Sequence, residues 1–123
     1  MDVEILRFSE EHLPAVAEFS ESTWSRPRTQ SYYHWRYLEC RGFHRQFLAL
    51  RGSECLAMVS AFRKTYLLGG VIGHCLEVFD WYCRPGLKGG GLGGRVMRAL
   101  MEEPEPILVC GGTVDTLARL PHM

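Results

Sequence analysis

The stretch CRPGLKGGGLGGRVMRALM, residues 83–101, places six of the chain's 13 glycines between positions 86 and 94 and then runs directly into a helical pattern. Leu92, Val96 and Leu100 fall on one stripe of that helix while Arg95, Arg98 and Glu102 face away, and Pro104 and Pro106 stop it. Glycine costs about 0.5–1 kcal/mol where backbone freedom must be frozen, so a cluster leading into a helix marks a backbone that something approaches closely. Successive amides from Lys88 through Gly94, unshielded by side chains, converge on a helix N-terminus whose partial positive charge favours an anion. A pyrophosphate suits that geometry; a tight surface turn is the plainer alternative.

The neighbours of the loop narrow its chemistry. The Walker pattern GxxxxGK[ST] requires a lysine and then a hydroxyl after the glycines, and Arg95 and Val96 stand there instead. The dinucleotide pattern GxGxxG is matched by Gly89, Gly91 and Gly94, with Asp115 near the spacing of a ribose-binding acid. A dinucleotide fold, however, begins with this loop and adds several strand–helix units, whereas here roughly 85 residues precede it and fewer than 30 follow.

With 123 residues, 46% of them hydrophobic, the chain is long enough for one core and too short for two. Lys and Arg total 14, as do Asp and Glu, so no global field draws it to nucleic acid or an acidic membrane. A small ligand is the default partner. The five cysteines, Cys40, Cys55, Cys75, Cys83 and Cys110, form no CxxC pair, which argues against a disulfide framework or structural zinc and for a reducing compartment. The histidines show no metal spacing. The N-terminus carries acids where a signal peptide needs bases, and no apolar run reaches the roughly 18 residues that cross a bilayer, so the expected location is cytoplasmic.

Along the chain, Val3 to Phe8 suggests a first strand, and Ser9 followed by two acids a helix start that tolerates Pro14 near its first turn. An aromatic helix is expected over Gln30–Glu39, where Tyr33 and Tyr37 lie four apart; its tyrosines and Trp35 are read first as core residues and second as the lining of a pocket. Gln46–Arg51 and Glu54–Phe62 read as a hairpin about Gly52-Ser53. Gly69 and Gly70 precede His74–Cys83, an apolar run expected to form the central strand. Ile107–Cys110 is a short strand, parallel to it because a helix carries the crossover.

The glycine segment resembles motif A of the GNAT superfamily of N-acetyltransferases, whose signature is Arg or Gln, two residues, Gly, one residue, then Gly or Ala. Lys88, Gly89, Gly90, Gly91, Leu92 and Gly93 match it, with lysine for arginine at the first position. Cys83-Arg84-Pro85 looks like the strand end and proline that precede the loop, and the order of elements is similar over nearly the whole chain. The resemblance implies an α+β, three-layer, acyl-CoA N-acyltransferase-like fold. Its mixed sheet is mostly antiparallel with a parallel pair at the CoA site, and helices flank it. It further implies acetyl-CoA as cosubstrate, an amine acceptor, and cofactor contacts at Tyr82, Cys83, Lys88, Gly89, Gly90, Gly91, Leu92, Gly93 and Gly94.

In that frame the pantetheine arm runs along the strand ending at Tyr82 and Cys83, a backbone amide near Tyr82 polarises the acyl carbonyl, and a neutral amine attacks directly. Base candidates are Asp80 and Glu77, three apart and thus on opposite faces of a regular strand; Asp80 is preferred. The tyrosine that many relatives place on the helix after the last strand seen here as general acid is missing from residues 113–120, leaving water or Tyr82. The family also continues with two more strands, so residues 1–123 are expected to form a single domain lacking them, with an edge at 107–110 open to self-association. The alternatives are a catalytically weak acyl-CoA-binding module, a fragment of a longer acetyltransferase, and, less favoured, a dinucleotide-binding fragment.

Overall fold

The computed structural model describes residues 2–24, 26, 28–39, 44–87, 90–110 and 114–122. Strand β1 (Glu4–Arg7) leads through a 3₁₀ turn at Glu10–His12 into α1 (Leu13–Trp24). Ser9 is extended at the turn's N-cap, and its N–H donates to His12 Nδ1 at 2.9 Å. The α-helix proper starts only at Leu13, which leaves Pro14 in the first turn, where a missing N–H costs nothing. Thr29 caps α2 (Gln30–His34) by accepting from the Tyr32 amide, and the helix continues as a π-helical turn over Trp35–Glu39 rather than as the regular helix expected there.

Three long strands follow: β2 (His44–Arg51), β3 (Glu54–Leu68) and β4 (Val71–Cys83). Each hairpin turns on a residue in the left-handed region, Gly52 at φ 62° and Gly69 and Gly70 at 57° and 79°. Helix α3 (Leu92–Met101) crosses over to β5 (Ile107–Val109), and α4 (Val114–Arg119) follows. The sheet order is β1-β2-β3-β4-β5, antiparallel except for the parallel β4–β5 pair. The middle strand is therefore β3, not β4 as its apolar run suggests. β4 is rich in apolar residues because both its faces are covered by helices near its C-terminal end, not because it is central. β5 is the outer edge, and among the described residues no strand follows it. Nor is any described helix long and apolar enough to cross a membrane.

Two cores form, one on each face of the sheet. Val16 and Phe19 of α1 and Tyr33 and Tyr37 of the second helical segment pack on Leu48, Leu50 and Met58. On the other face Val96, Met97 and Leu100 of α3 pack on Ala49, Ala57, Val59, Ala61 and Leu76. The three alanines of β2 and β3 let α3 lie close to the sheet, and Arg95 and Arg98 stay exposed as the helical stripe predicts. Leu100 is fully buried at the end of α3. Leu100→Ala is expected to cost about 2–5 kcal/mol, measured as a lowered midpoint in urea unfolding with an unchanged slope.

Candidate active site

The site is organised by one extra residue in β4. Ser60 pairs with Asp80 and the next residue, Ala61, pairs with Val78, so Phe79 has no partner and forms a β-bulge. Two positions apart on β3, Ser60 and Phe62 share a face and pair with Asp80 and Glu77. The bulge thereby brings Glu77 and Asp80 to the same face, that of α1 and α2, correcting the opposite-face expectation for a regular strand. They nevertheless part company along it. Glu77 is engaged by Lys64, whereas Asp80 lies under the helices, 7% exposed.

Asp80 Oδ2 accepts from Arg36 Nη2 at 2.9 Å and from the Tyr37 hydroxyl at 3.3 Å. Burial pushes the Asp80 carboxyl above its ordinary value, and the hydrogen-bonded Arg36 guanidinium and Tyr37 offset only part of that. Burial, reinforced by the adjacent Asp80 charge, pushes the Tyr37 hydroxyl up to about 12. The π-helical turn supplies both partners, and such turns recur at functional sites because they re-aim neighbouring side chains. Arg36 also lies over the Phe79 ring at 4.9 Å, so the bulged residue packs against the cation that holds Asp80.

At the C-terminal end of β4 the backbone leaves its parallel neighbour. β4 and β5 pair only over Leu76–Val78 and Ile107–Val109, and beyond Val78 the two strands no longer pair. The Arg84 N–H donates to Leu56 O on β3 at 2.9 Å; alternation back from there turns the Trp81 amide away from β3, toward the side that β5 has left, and turns Tyr82's own amide inward. The Tyr82 side chain is 40% exposed and meets Trp24 edge-on at 4.8 Å. Arg84 clamps this end to α1 and β3, donating to Cys55 O at 2.7 Å and to Ser22 Oγ at 3.0 Å and pairing with Glu18.

The glycine loop follows. Lys88 and Gly89 lie outside the described residues. Gly90 donates to Leu87 O at 3.2 Å, and a Cβ on Gly90 would meet that same oxygen at 3.3 Å, tighter than a side chain accepts without a shift. Gly91 is the N-cap of α3 at φ 79°, ψ 1°, a left-handed conformation, and a Cβ there would project into open space. Leu92 begins α3 and packs on the core beneath it. Trp81 Nε1 donates to Gly93 O at 2.8 Å, and a Cβ on Gly93 would stand in ordinary contact with that nitrogen at 3.5 Å. Gly94 completes a first turn whose amides have no intrahelical partners. The Cys83 thiol reaches Leu87 O at 3.6 Å, which brackets the loop from its other end.

On the α1–α2 face a cleft of about 200 Å³ opens beside the bulge, lined by Ser20, Trp24, Tyr32, Tyr33, Tyr37 and Asp80, together with three arginines. The aromatic helix serves both readings made of it: Tyr33 and Tyr37 are buried in the core and also line the cleft, while Trp35 is exposed. Among the described residues no cluster of metal-ligating side chains occurs.

This arrangement combines a glycine-capped helix N-terminus, an adjoining strand whose neighbour stops pairing with it, and a cleft with a buried carboxylate. A family model described as the Acetyltransferase (GNAT) family matches residues 9–105. The chain belongs to the GNAT family of acetyltransferases. Solved structures agree at the level of the fold. Glucosamine-6-phosphate N-acetyltransferase from Arabidopsis thaliana superposes with TM-score 0.75 at 15% identity, covering 100% of this chain and 92% of that one. AAC(6')-Iy, solved in complex with the bisubstrate analogue CoA-S-monomethyl-acetylneamine, gives 0.75 at 11% identity, covering 99% of this chain and 88% of that one. An acetyltransferase of Trypanosoma brucei gives 0.73 at 15% identity, covering 98% and 88%. No curated protein matches the chain.

Arg36 has no counterpart in the sequence reading. It lies 44 residues from Asp80 with no spacing signal, and only the packing of the π-helical turn on β4 brings them together. Removing it leaves a buried carboxylate without its cation. Arg36→Met is expected to lose about 3 kcal/mol at neutral pH, the low end for a broken buried pair because Arg36 keeps a quarter of its side-chain exposure. The loss of the guanidinium moves the folded-state pKa of Asp80 further above its unfolded value. The folded variant thus holds the proton to higher pH than the unfolded chain, and its deficit fades as the pH falls through that interval. Urea unfolding across a pH series measures both effects.

Proposed function

We propose that this GNAT chain transfers an acetyl group from acetyl-CoA to a primary amine by direct attack. The observation that carries the reading is the link between Trp81 and Gly93, which joins β4, one residue past Asp80, to the glycine-capped N-terminus of α3. The residues fit a CoA-type ligand. Gly90, Gly91, Gly93 and Gly94, with Leu92, present bare backbone at the positive end of α3 for a pyrophosphate, and Lys88 and Gly89 extend that cradle in sequence. The backbone of residues 79–83 offers an extended arm a strand edge, with Tyr82 and Cys83 at its end. Acetyl-CoA supplies the acyl group as a thioester; the C–S bond breaks as the C–N bond forms, one amine proton leaves, and the departing thiolate takes up a proton.

Asp80 serves as base in this reading. Its Oδ2 is held by Arg36 and Tyr37, which fixes the carboxylate plane and leaves Oδ1 to receive the proton, and a pKa raised by burial makes it a stronger base than an exposed aspartate. Glu77 is the second carboxylate on that face, but its engagement with Lys64 and its absence from the cleft lining favour Asp80. The Trp81 amide faces the side where an acyl oxygen would lie, and Tyr82, partly exposed, or a water protonates the thiolate. A chain that binds acyl-CoA without turning it over is the second reading, favoured by the lack of a tyrosine on α4.

Two measurements test this. Acetyl-CoA at about 100 times its dissociation constant is expected to stabilise the fold by about 2.7 kcal/mol in thermal unfolding, with CoA acting similarly and NAD and ATP producing smaller shifts; a response to NAD alone rejects the acetyltransferase reading. Asp80→Asn is expected to lower kcat by about 10²–10⁴-fold with little change in acetyl-CoA affinity, and to remove an acidic limb of the rate profile that lies above the ordinary aspartate range. An unchanged kcat assigns the proton to another group.

A further inference from the structure

The cleft carries an excess of positive charge. Arg26, Arg28 and Arg36 line it against a single carboxylate, Asp80, which Arg36 and Tyr37 already satisfy. The two remaining guanidinium groups stand at the rim, and among the described residues neither has a carboxylate within ion-pair reach. The acids of α1 form no ion pair with them. Glu18 is taken by Arg84, and Glu21 is exposed, its charge felt at the Tyr33 hydroxyl rather than in a pair with either arginine. Arg28 is positioned over the Tyr32 ring at 4.9 Å, so one cation of the rim is stacked and ordered before anything binds. A carboxylate or phosphate matches such guanidinium groups in charge and in hydrogen-bond geometry, whereas a polycation would meet like charge at the entrance.

We infer that the acceptor is an amine that also bears a carboxylate or phosphate group, with the anionic end held at the rim by Arg26 and Arg28 and the amine directed to the floor beside Asp80. This rests on the acetyltransferase reading above and narrows its acceptor class.

Calorimetric titration of the intact chain at low salt with four amines of similar size tests it: β-alanine, 2-aminoethylphosphonate, ethanolamine and 1,3-diaminopropane. Each rim guanidinium is expected to contribute on the order of threefold to fivefold, so that the better of the two anionic amines binds on the order of tenfold tighter than ethanolamine, with the diamine weakest. Which anionic amine leads separates a carboxylate-bearing from a phosphate-bearing acceptor. The double variant Arg26→Gln/Arg28→Gln, with its fold confirmed by circular dichroism, is expected to lose the preference. Equal binding of all four, preference for the diamine, no binding of either anionic amine, or a preference that survives in the double variant overturns the inference. The titration needs no acetyl-CoA, so the two readings fail separately. An anion preference without any acetyl-CoA stabilisation removes the transferase reading and leaves the rim's selectivity standing; acetyl-CoA stabilisation without an anion preference removes only the selectivity.

Discussion

The unpaired residue at Phe79 is the constraint on which the rest of this site depends. A strand alternates its side chains strictly, so without the bulge Asp80 would point into the α3 layer among Leu76, Val78 and Val96, where a carboxylate has no partner. With it, Phe79 and Asp80 both turn to the α1–α2 face, where Arg36 meets one by its charge and the other by its aromatic ring. The same irregularity falls where β5 ceases to pair with β4. One inserted residue therefore both aims the carboxylate and coincides with the opening of the strand edge beside it.

The two halves of the site are held in register by side chains rather than by sheet hydrogen bonds. The Trp81 indole fixes the first turn of α3 to β4, and Arg84 fixes the end of β4 to α1 and β3. The indole and one bond of Arg84 use backbone carbonyls as acceptors, while Arg84 reaches α1 through the Ser22 hydroxyl and the Glu18 carboxylate. A loop this rich in glycine has little side chain to pack, so its position is imposed largely from its ends.

Electrostatics divides the cleft into a neutralised floor and a cationic rim. Burying Asp80 is costly, and its carboxyl stays shifted upward despite the nearby guanidinium, because removal from water outweighs what one partly exposed cation returns. That cost is consistent with a functional role, since a salt bridge of this kind contributes little stability relative to a packed apolar pair. The rim arginines face solvent and cost little, so their charge is available to a ligand.

Much of the architecture was legible in the sequence because it rests on local rules. Glycines mark the hairpin turns at 52 and 69–70, Pro14 and the stripe Leu92, Val96, Leu100 mark two helices, and the glycine cluster marks the start of the second of them, which Gly91 caps in a left-handed conformation. Tertiary structure decided what local rules cannot reach. The bulge at Phe79 arises from pairing with β3, not from any residue in β4, so the sequence alone put Glu77 and Asp80 on opposite faces. The rank of β4 in the sheet depends on which strands add beside it, and the π-helical turn at Trp35–Glu39 on how the aromatic helix meets the sheet. The pairing of Arg36 with Asp80 and the gathering of Arg26 and Arg28 about one cleft depend on packing between segments far apart in the chain. Residue types and spacing specify turns, periodicity and chemistry in a single segment; which charges meet is a property of the folded surface, because it is fixed by contacts whose partners are distant along the backbone.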